Sequence, residues 1–312
     1  MLSRPAAATL VWIGLSVAGP AAWRQQVAVD TSQLMRDVSV LAADDMEGRL
    51  VGSAGSAKAR AYILGRFREA GIQAIGNDYE RPFTYKSGET ERRGVNLVGI
   101  VTGSQDRDHV IVLTAHYDHI GIRNGEVFNG ADDNASGVAA LLAAAASLSR
   151  DKPRHSIVIA ALDAEESGLH GARAFMADPP VPRAAIALNL NLDMVGRDAT
   201  NTLYAVGTHQ YPFLKPYLER VAQPPVKLIL GHDVPGAKEE DWTKDSDHYV
   251  FHQAGIPFVY FGVEDFAQHH RATDDAATIT KEFFAGAAAT IIAAVRLFDQ
   301  NLEEIRKQTP AR

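Results

Sequence analysis

Short apolar runs alternate with helical patterns along this chain, and that alternation constrains its fold more than any other feature. Residues 95–101, 110–114, 156–162 and 184–192 are rich in Val, Ile, Leu and Ala, and 257–261 in Phe, Val and Tyr. Runs of this length and composition read as buried strands, with weaker ones at 203–206 and 226–230. Between them the spacing predicts helices over 31–45, 56–71, 135–148, 169–176, 211–221 and 281–298, the second stopped by Gly71. Strands alternating with helices imply an α/β fold, a single-domain three-layer α/β/α sandwich around a mostly parallel mixed sheet. No repeat interrupts the pattern.

Composition excludes several classes. Of 312 residues, 46% are hydrophobic and 22% charged, which rules out a disordered or collagen-like chain. A net charge of −7 argues against a nucleic-acid partner. The chain has no cysteine, so disulfides, thiolate zinc sites and cysteine nucleophiles are excluded. Residues 1–22 carry Arg4 and then no charge from Pro5 to Ala22, ending in small residues. That layout predicts an export signal cut after Ala22, hence a periplasmic or secreted protein without stable membrane association; an uncleaved anchor is the rival reading. The expected organisation is a signal over 1–22, one domain over 23–305 and a flexible polar tail over 306–312. The sequence carries no signal for an oligomeric state.

Chemistry-bearing residues collect just after the strands. The segments are Ala115–His119, Gly130–Gly137, Asp163–Gly168, Asn191–Gly196 and His269–Asp274. In open parallel sheets, sites form outside the carboxyl ends of the strands, so these segments converge on one crevice. Carboxylates dominate, and clustered without cations they repel one another. A pair of divalent metals resolves the conflict, and imidazole with carboxylate suits zinc. His116, His270, Glu166 and Asp193, bridged by Asp132, supply ligands for two Zn²⁺ ions. Glu165 is then left beside them as general base. Each residue alone has a plainer reading: a satisfied histidine, a solvated Glu-Glu pair, or an Asp at a helix start. Coincidence of all five segments at one sheet edge is what favours the metal centre.

These segments, together with Leu41–Arg49, occur in the order of a known family. The chain resembles the co-catalytic zinc aminopeptidases of peptidase family M28, which also contains glutamate carboxypeptidase II. The resemblance implies a zinc-exopeptidase fold and hydrolysis of the N-terminal residue of peptides with a free amine. It further implies that His116 and His270 share one zinc, Glu166 and Asp193 the other, and Asp132 bridges. Glu165 matches the general base, and Asp118 the carboxylate that orients His116 through its other ring nitrogen. The stretch 79–93 is too short to hold the domain that many members insert there.

One position departs from the family pattern. Many members place Tyr before the last metal histidine, where this chain has His269; an imidazole N–H there could stabilise the oxyanion. Asp133 reads as structural or as lining the pocket for the substrate amine. Asp247 and His248 read as supporting or substrate-contacting groups, and His119 and His170 as structural or surface residues. Rival functions are a dipeptidase or carboxypeptidase and a glutaminyl-cyclase-like transferase. The first requires an arginine cluster for carboxylates, for which Arg197 and Arg271 are the nearby candidates. A non-catalytic module and a serine hydrolase fit less well, since the ligand set is complete and no Gly-x-Ser-x-Gly elbow occurs.

Overall fold

The alternating pattern is realised as one sheet with helices on both faces. The computed structural model describes residues 27–265 and 267–309; the expected export signal lies outside them. In chain order the elements are α1 (Thr31–Leu41), α2 (Ala54–Glu69), β1 (Gln73–Ala74), β2 (Glu80–Ser87), β3 (Thr90–Val101), β4 (Asp106–His116), β5 (Gly121–Arg123) and β6 (Glu126–Phe128). There follow α3 (Gly137–Arg150), β7 (His155–Leu162), α4 (His170–Ala177), β8 (Ile186–Leu192), β9 (Thr202–Val206), α5 (Lys215–Leu218) and β10 (Lys227–Leu230). The last are α6 (His248–Gln253), β11 (Phe258–Gly262), α7 (Lys281–Gln300) and α8 (Leu302–Gln308).

The main sheet runs β1-β3-β7-β4-β8-β11-β9-β10, with β2 also paired to β3. The central strands β7, β4, β8 and β11 are mutually parallel, while β3 and β9 join them antiparallel. The sheet is mixed, as the sequence predicts, but only its central strands and the β9–β10 edge are parallel; the other four pairings are antiparallel. Successive side chains of a strand face opposite ways. In β4, Ile111, Leu113 and Ala115 enter one core, and Val110 and Val112 the other. In β7, Ile157, Ile159 and Ala161 face the first core, and Val158, Ala160 and Leu162 the second. The first core is closed by residues of α1, α2, α3 and α7, and the second by Phe175 of α4 and Phe251 of α6. Each such Val, Ile or Phe contributes roughly 1.5–3 kcal/mol on burial, which fixes the strands that carry the site.

The differences from expectation are local. The helix expected over 211–221 shortens to α5 and a preceding single turn. The tail expected from 306 is helical through Gln308, because Leu302 and Ile305 are buried and anchor α8. Strands β1, β2, β5 and β6 lie outside the runs read as strands; β2 is largely exposed and lacks an apolar run. Among the described residues, no helix is long and apolar enough to cross a membrane.

Candidate active site

Because β7, β4, β8 and β11 point the same way, their carboxyl ends deliver residues to one edge. His116 is the last residue of β4, Asp193 follows β8, and Glu165 and Glu166 follow β7 across Ala164, which takes a positive φ of 60°. That left-handed step is uncommon for a residue with a side chain. The wide turn Ala131–Ser136 brings Asp133 in from between β6 and α3, its following peptide bond cis. Gly130 opens the turn with φ +54°; a Cβ there would lie 2.1 Å from the Asp133 carbonyl and 2.5 Å from the His119 ring. Only glycine fits such an approach.

Asp133 is the hub. On one side its Oδ1 lies 3.4 Å from His116 Nε2, which is also 3.2 Å from Asp193 Oδ1. On the other, Oδ2 lies 3.3 Å from His270 Nε2, 3.6 Å from His269 Nε2 and 3.7 Å from His119 Nδ1. Glu166 completes that side, with Oε2 3.0 Å from His270 Nε2 and Oε1 2.6 Å from His119 Nδ1. The structure therefore brings together His116, Asp193, Glu166, His269 and His270, all expected from the sequence, and adds Asp133 and His119.

Asp132, expected as the bridge, is not in this cluster. Its Oδ1 accepts from the Gly196 amide at 2.6 Å and the Ser136 hydroxyl at 3.0 Å, and Arg197 Nε lies 4.0 Å from Oδ2. The two adjacent acids of this turn face opposite ways, and the sequence alone does not say which faces the histidines. The expected pairing also changes: His116 sits with Asp193, and His270 with Glu166. Asp118 differs as well. His116 Nδ1 meets the Asp118 carbonyl at 3.2 Å, while the carboxylate, 3.7 Å away, accepts from the Glu165 amide at 3.0 Å. The Asp118 side chain thus holds the backbone that carries Glu165.

Supporting groups fix the rest. Ser246 donates to Asp193 Oδ2 at 2.6 Å, Asn191 donates to Ser246 at 2.8 Å, and Thr114 donates to Asn191 at 2.7 Å. Asp274, the last residue of the histidine motif, accepts from the amides of Asp132 and Asp133 and from Arg197. Arg197 also bonds Asp265 and Thr278. The neighbouring Asp247 is buried with both oxygens lacking a hydrogen-bond partner, and burial pushes its carboxyl up to about 8.

The electrostatics require cations among these carboxylates. Burial pushes the Asp133 carboxyl up, but His119, His116 and His270 outweigh it and hold it well below the usual range. Glu166 is held at about 2, the same histidines His119 and His270 overcoming burial and the repulsion of Asp133. His270 rises to about 10 through its bonds to Asp133 and Glu166. Burial opposes a proton on His116, yet Asp193 and Glu165 raise it well above normal. Without other cations the imidazoles must be protonated to balance the acids. Divalent ions do the same work with the imidazoles neutral, and metal binding releases those protons. Glu166 Oε1 and both nitrogens of buried His119 make no hydrogen bond of acceptable geometry, as befits atoms arranged for an ion. The residues present fit a pair of metal ions sharing Asp133.

His119, expected to be structural or at the surface, is buried against Glu166 and Asp133. Asp133, expected to be structural or to line the amine pocket, stands instead at the centre of the cluster.

Comparison with known proteins agrees with this arrangement at the level of fold and family. A probable zinc metalloprotease of Pyrenophora teres f. teres is 29% identical over 251 residues, covering 70% of this chain and 50% of the relative. Leupeptin-inactivating enzyme 1 of Streptomyces exfoliatus is 30% identical over 226 residues, covering 72% of this chain and 46% of the relative. The chain thus spans half or less of the length of these relatives. Among solved structures, the aminopeptidase from Aneurinibacillus sp. strain AM-1 superposes with a TM-score of 0.66 at 15% identity, covering 86% of this chain and 93% of that one. The glutaminyl cyclase of Porphyromonas gingivalis reaches a TM-score of 0.70 at 20% identity, covering 86% and 98%. These likenesses establish a shared fold. The sequence profile of Peptidase family M28 matches residues 96–295, and the chain belongs to that family.

Proposed function

We propose that this protein is a zinc-dependent exopeptidase that removes the N-terminal residue of peptides. The observation that carries the reading is Asp133, flanked by His116 and Asp193 on one side and Glu166 and His270 on the other, with Glu165 alongside. His116, Asp133 and Asp193 would hold one zinc, and Asp133, Glu166 and His270 the other. Bound zinc supplies Lewis acidity, lowering the pKa of water and polarising the scissile carbonyl.

The chain's own residues do the rest. Burial, reinforced by Asp193, Asp247 and Glu166, raises the Glu165 carboxyl well above its ordinary value against the pull of His116. A carboxylate of raised basicity suits proton transfer near neutral pH. Glu165 takes a proton from the attacking water and returns it to the amine that leaves as the peptide bond breaks. His269, with a side chain 47% exposed, stands at the mouth of the cluster and can donate to the developing oxyanion.

The surroundings favour an amine over a carboxylate as the recognised terminus. Arg197, which could have held a substrate carboxylate, is occupied by Asp274, Asp265 and Thr278. Glu165, Asp193 and Asp247 crowd the other side and offer oxygen acceptors to an ammonium group. The names of the relatives, zinc metalloprotease and aminopeptidase, agree with this reading; glutaminyl cyclase names a rival chemistry on the same fold. The test is hydrolysis of aminoacyl-p-nitroanilides, N-blocked analogues and acidic C-terminal dipeptides, by zinc-depleted and zinc-restored protein. Zinc-dependent release from free-amine substrates alone is expected. Activity confined to the dipeptides would replace the reading with a carboxypeptidase, and cyclisation of N-terminal glutamine with a cyclase.

A further inference from the structure

At the opposite end of the parallel strands lies a second cluster of metal-ligating groups. Asp106 and His155 are register partners at the starts of β4 and β7. His109 stands just beyond Asp106, and Glu303 comes from α8. His116 ends the same strand that Asp106 begins, so about 30 Å of β4 separates the two clusters.

The distances here suit coordination better than hydrogen bonding. His155 Nε2 lies 3.7 Å from Asp106 Oδ2 and 3.8 Å from Glu303 Oε1. His109 Nδ1 lies 3.5 Å from Asp106 Oδ2 and 3.7 Å from Glu303 Oε1. All but the shortest exceed hydrogen-bond range. Ligand atoms sharing a tetrahedral zinc stand about 3.4 Å apart, given bonds of ~2.0–2.1 Å.

His155 supplies the independent indication. The residue is 5% exposed, and its Nδ1 meets Asp299 Oδ1 at 3.0 Å. That bond places the proton on Nδ1 and leaves the Nε2 lone pair facing the Asp106 and Glu303 oxygens. A carboxylate–imidazole pair with the far nitrogen aimed at acidic oxygens is the arrangement that orients histidine metal ligands. The site opens onto a cavity of about 310 Å³. Arg154 and Arg306 lie nearby. Arg154 is turned to Gln105 and the Gln300 carbonyl, and Arg306 bonds both Glu303 oxygens at 3.0 Å, leaving lone pairs of that carboxylate for an ion.

We propose that this cluster is a structural metal site, separate from the active site. It takes one zinc-class divalent ion between His109 Nδ1, Asp106 Oδ2 and Glu303 Oε1, with His155 Nε2 facing the two carboxylates, and it clamps α8 to the sheet. The assignment does not depend on the proposed peptidase activity.

Zinc-loaded full-length protein, dialysed against metal-free buffer, is compared with His109→Ala and Glu303→Gln by elemental analysis. Zinc titrations of all three proteins are followed by calorimetry and thermal melting. The native protein is expected to retain one more zinc per chain than either variant. Both variants are expected to bind that equivalent at least tenfold more weakly and to lose the rise in melting temperature that added zinc gives the native protein. Peptidase turnover stays unchanged, since neither residue approaches the active site. Equal zinc content in the three proteins overturns the proposal, even if their melting temperatures differ, because the cluster would then be held by protons alone.

Discussion

The guanidinium of Arg49, wholly buried, donates to the Gly130 carbonyl at 2.8 Å, at the entrance to the turn that carries Asp133. The same side chain donates to the carbonyls of Leu41, Tyr117 and Asn129 at 2.6–2.8 Å. Burial lowers its pKa to about 10, with Asp133 and Asp274 opposing, so it stays charged at neutral pH. Arg49→Met would leave the buried carbonyls of Leu41, Tyr117 and Asn129 without their donor, while that of Gly130 keeps the Ala135 amide. Each orphaned group costs roughly 1–3 kcal/mol, so a loss of at least about 3 kcal/mol is expected. Thermal unfolding should show a drop of about 10 °C, at ~2–4 °C per kcal/mol for a chain of this size. Zinc content at equal concentration should fall with it. A variant that melts like the native protein would show that Arg49 does not brace the turn.

The two neighbouring acids of that turn should separate cleanly. Asp133→Asn replaces the shared carboxylate with a poor ligand, and at least one zinc per chain is expected to be lost. Asp132→Asn keeps an oxygen for the Gly196 amide and the Ser136 hydroxyl, and zinc content close to native is expected. Elemental analysis of both variants decides. The reverse pattern would return the bridging role to Asp132.

Glu165→Gln keeps the shape of the side chain and removes its basicity. Turnover should fall by roughly 10²–10⁴-fold, the usual contribution of a positioned general base, with fold and zinc content retained. His269→Phe should lower turnover less, with zinc content unchanged. Native rates for either variant in the nitroanilide assay would remove that residue from the chemistry.

Legibility from sequence followed the strength of the local signal. The central strands were readable because β7 and β8 are buried at every position and so carry mostly apolar residues, Ile157–Leu162 without interruption and Ile, Ala and Leu around two asparagines in β8. Strand β2 alternates between exposed and half-buried positions, and β5 and β6 are three residues each, so neither carries a comparable run. His116, Asp193, Glu166 and His270 were legible because they follow strands or stand in a strong motif. The choice between Asp132 and Asp133 was not, because two adjacent acids are equivalent in sequence and the backbone of the turn sets which faces inward. Arg49 and Asp274 lay inside segments that identified the family, yet their roles needed the tertiary structure: each bonds backbone groups at least 68 residues away.

His248 provides a test of stability against pH outside the candidate metal cluster. The ring is fully buried, stacked on Tyr260 at 4.6 Å, and its Nε2 donates to the Trp242 carbonyl at 3.0 Å. Burial lowers its pKa from 6.5 to about 3, the bonds to Trp242 and Thr243 opposing only in part. The folded protein therefore keeps His248 neutral where the unfolded chain protonates it. Below pH 6.5 the unfolded state binds the extra proton, so stability falls as pH drops, until the folded ring also protonates near pH 3. Within that window this residue contributes a slope of up to about 1.4 kcal/mol per pH unit. His248→Phe preserves the packing and removes the proton. Denaturant unfolding across this window should give the variant a slope shallower by about one proton. Parallel curves for the two proteins would mean that His248 is protonated in the fold and does not set the acid limit.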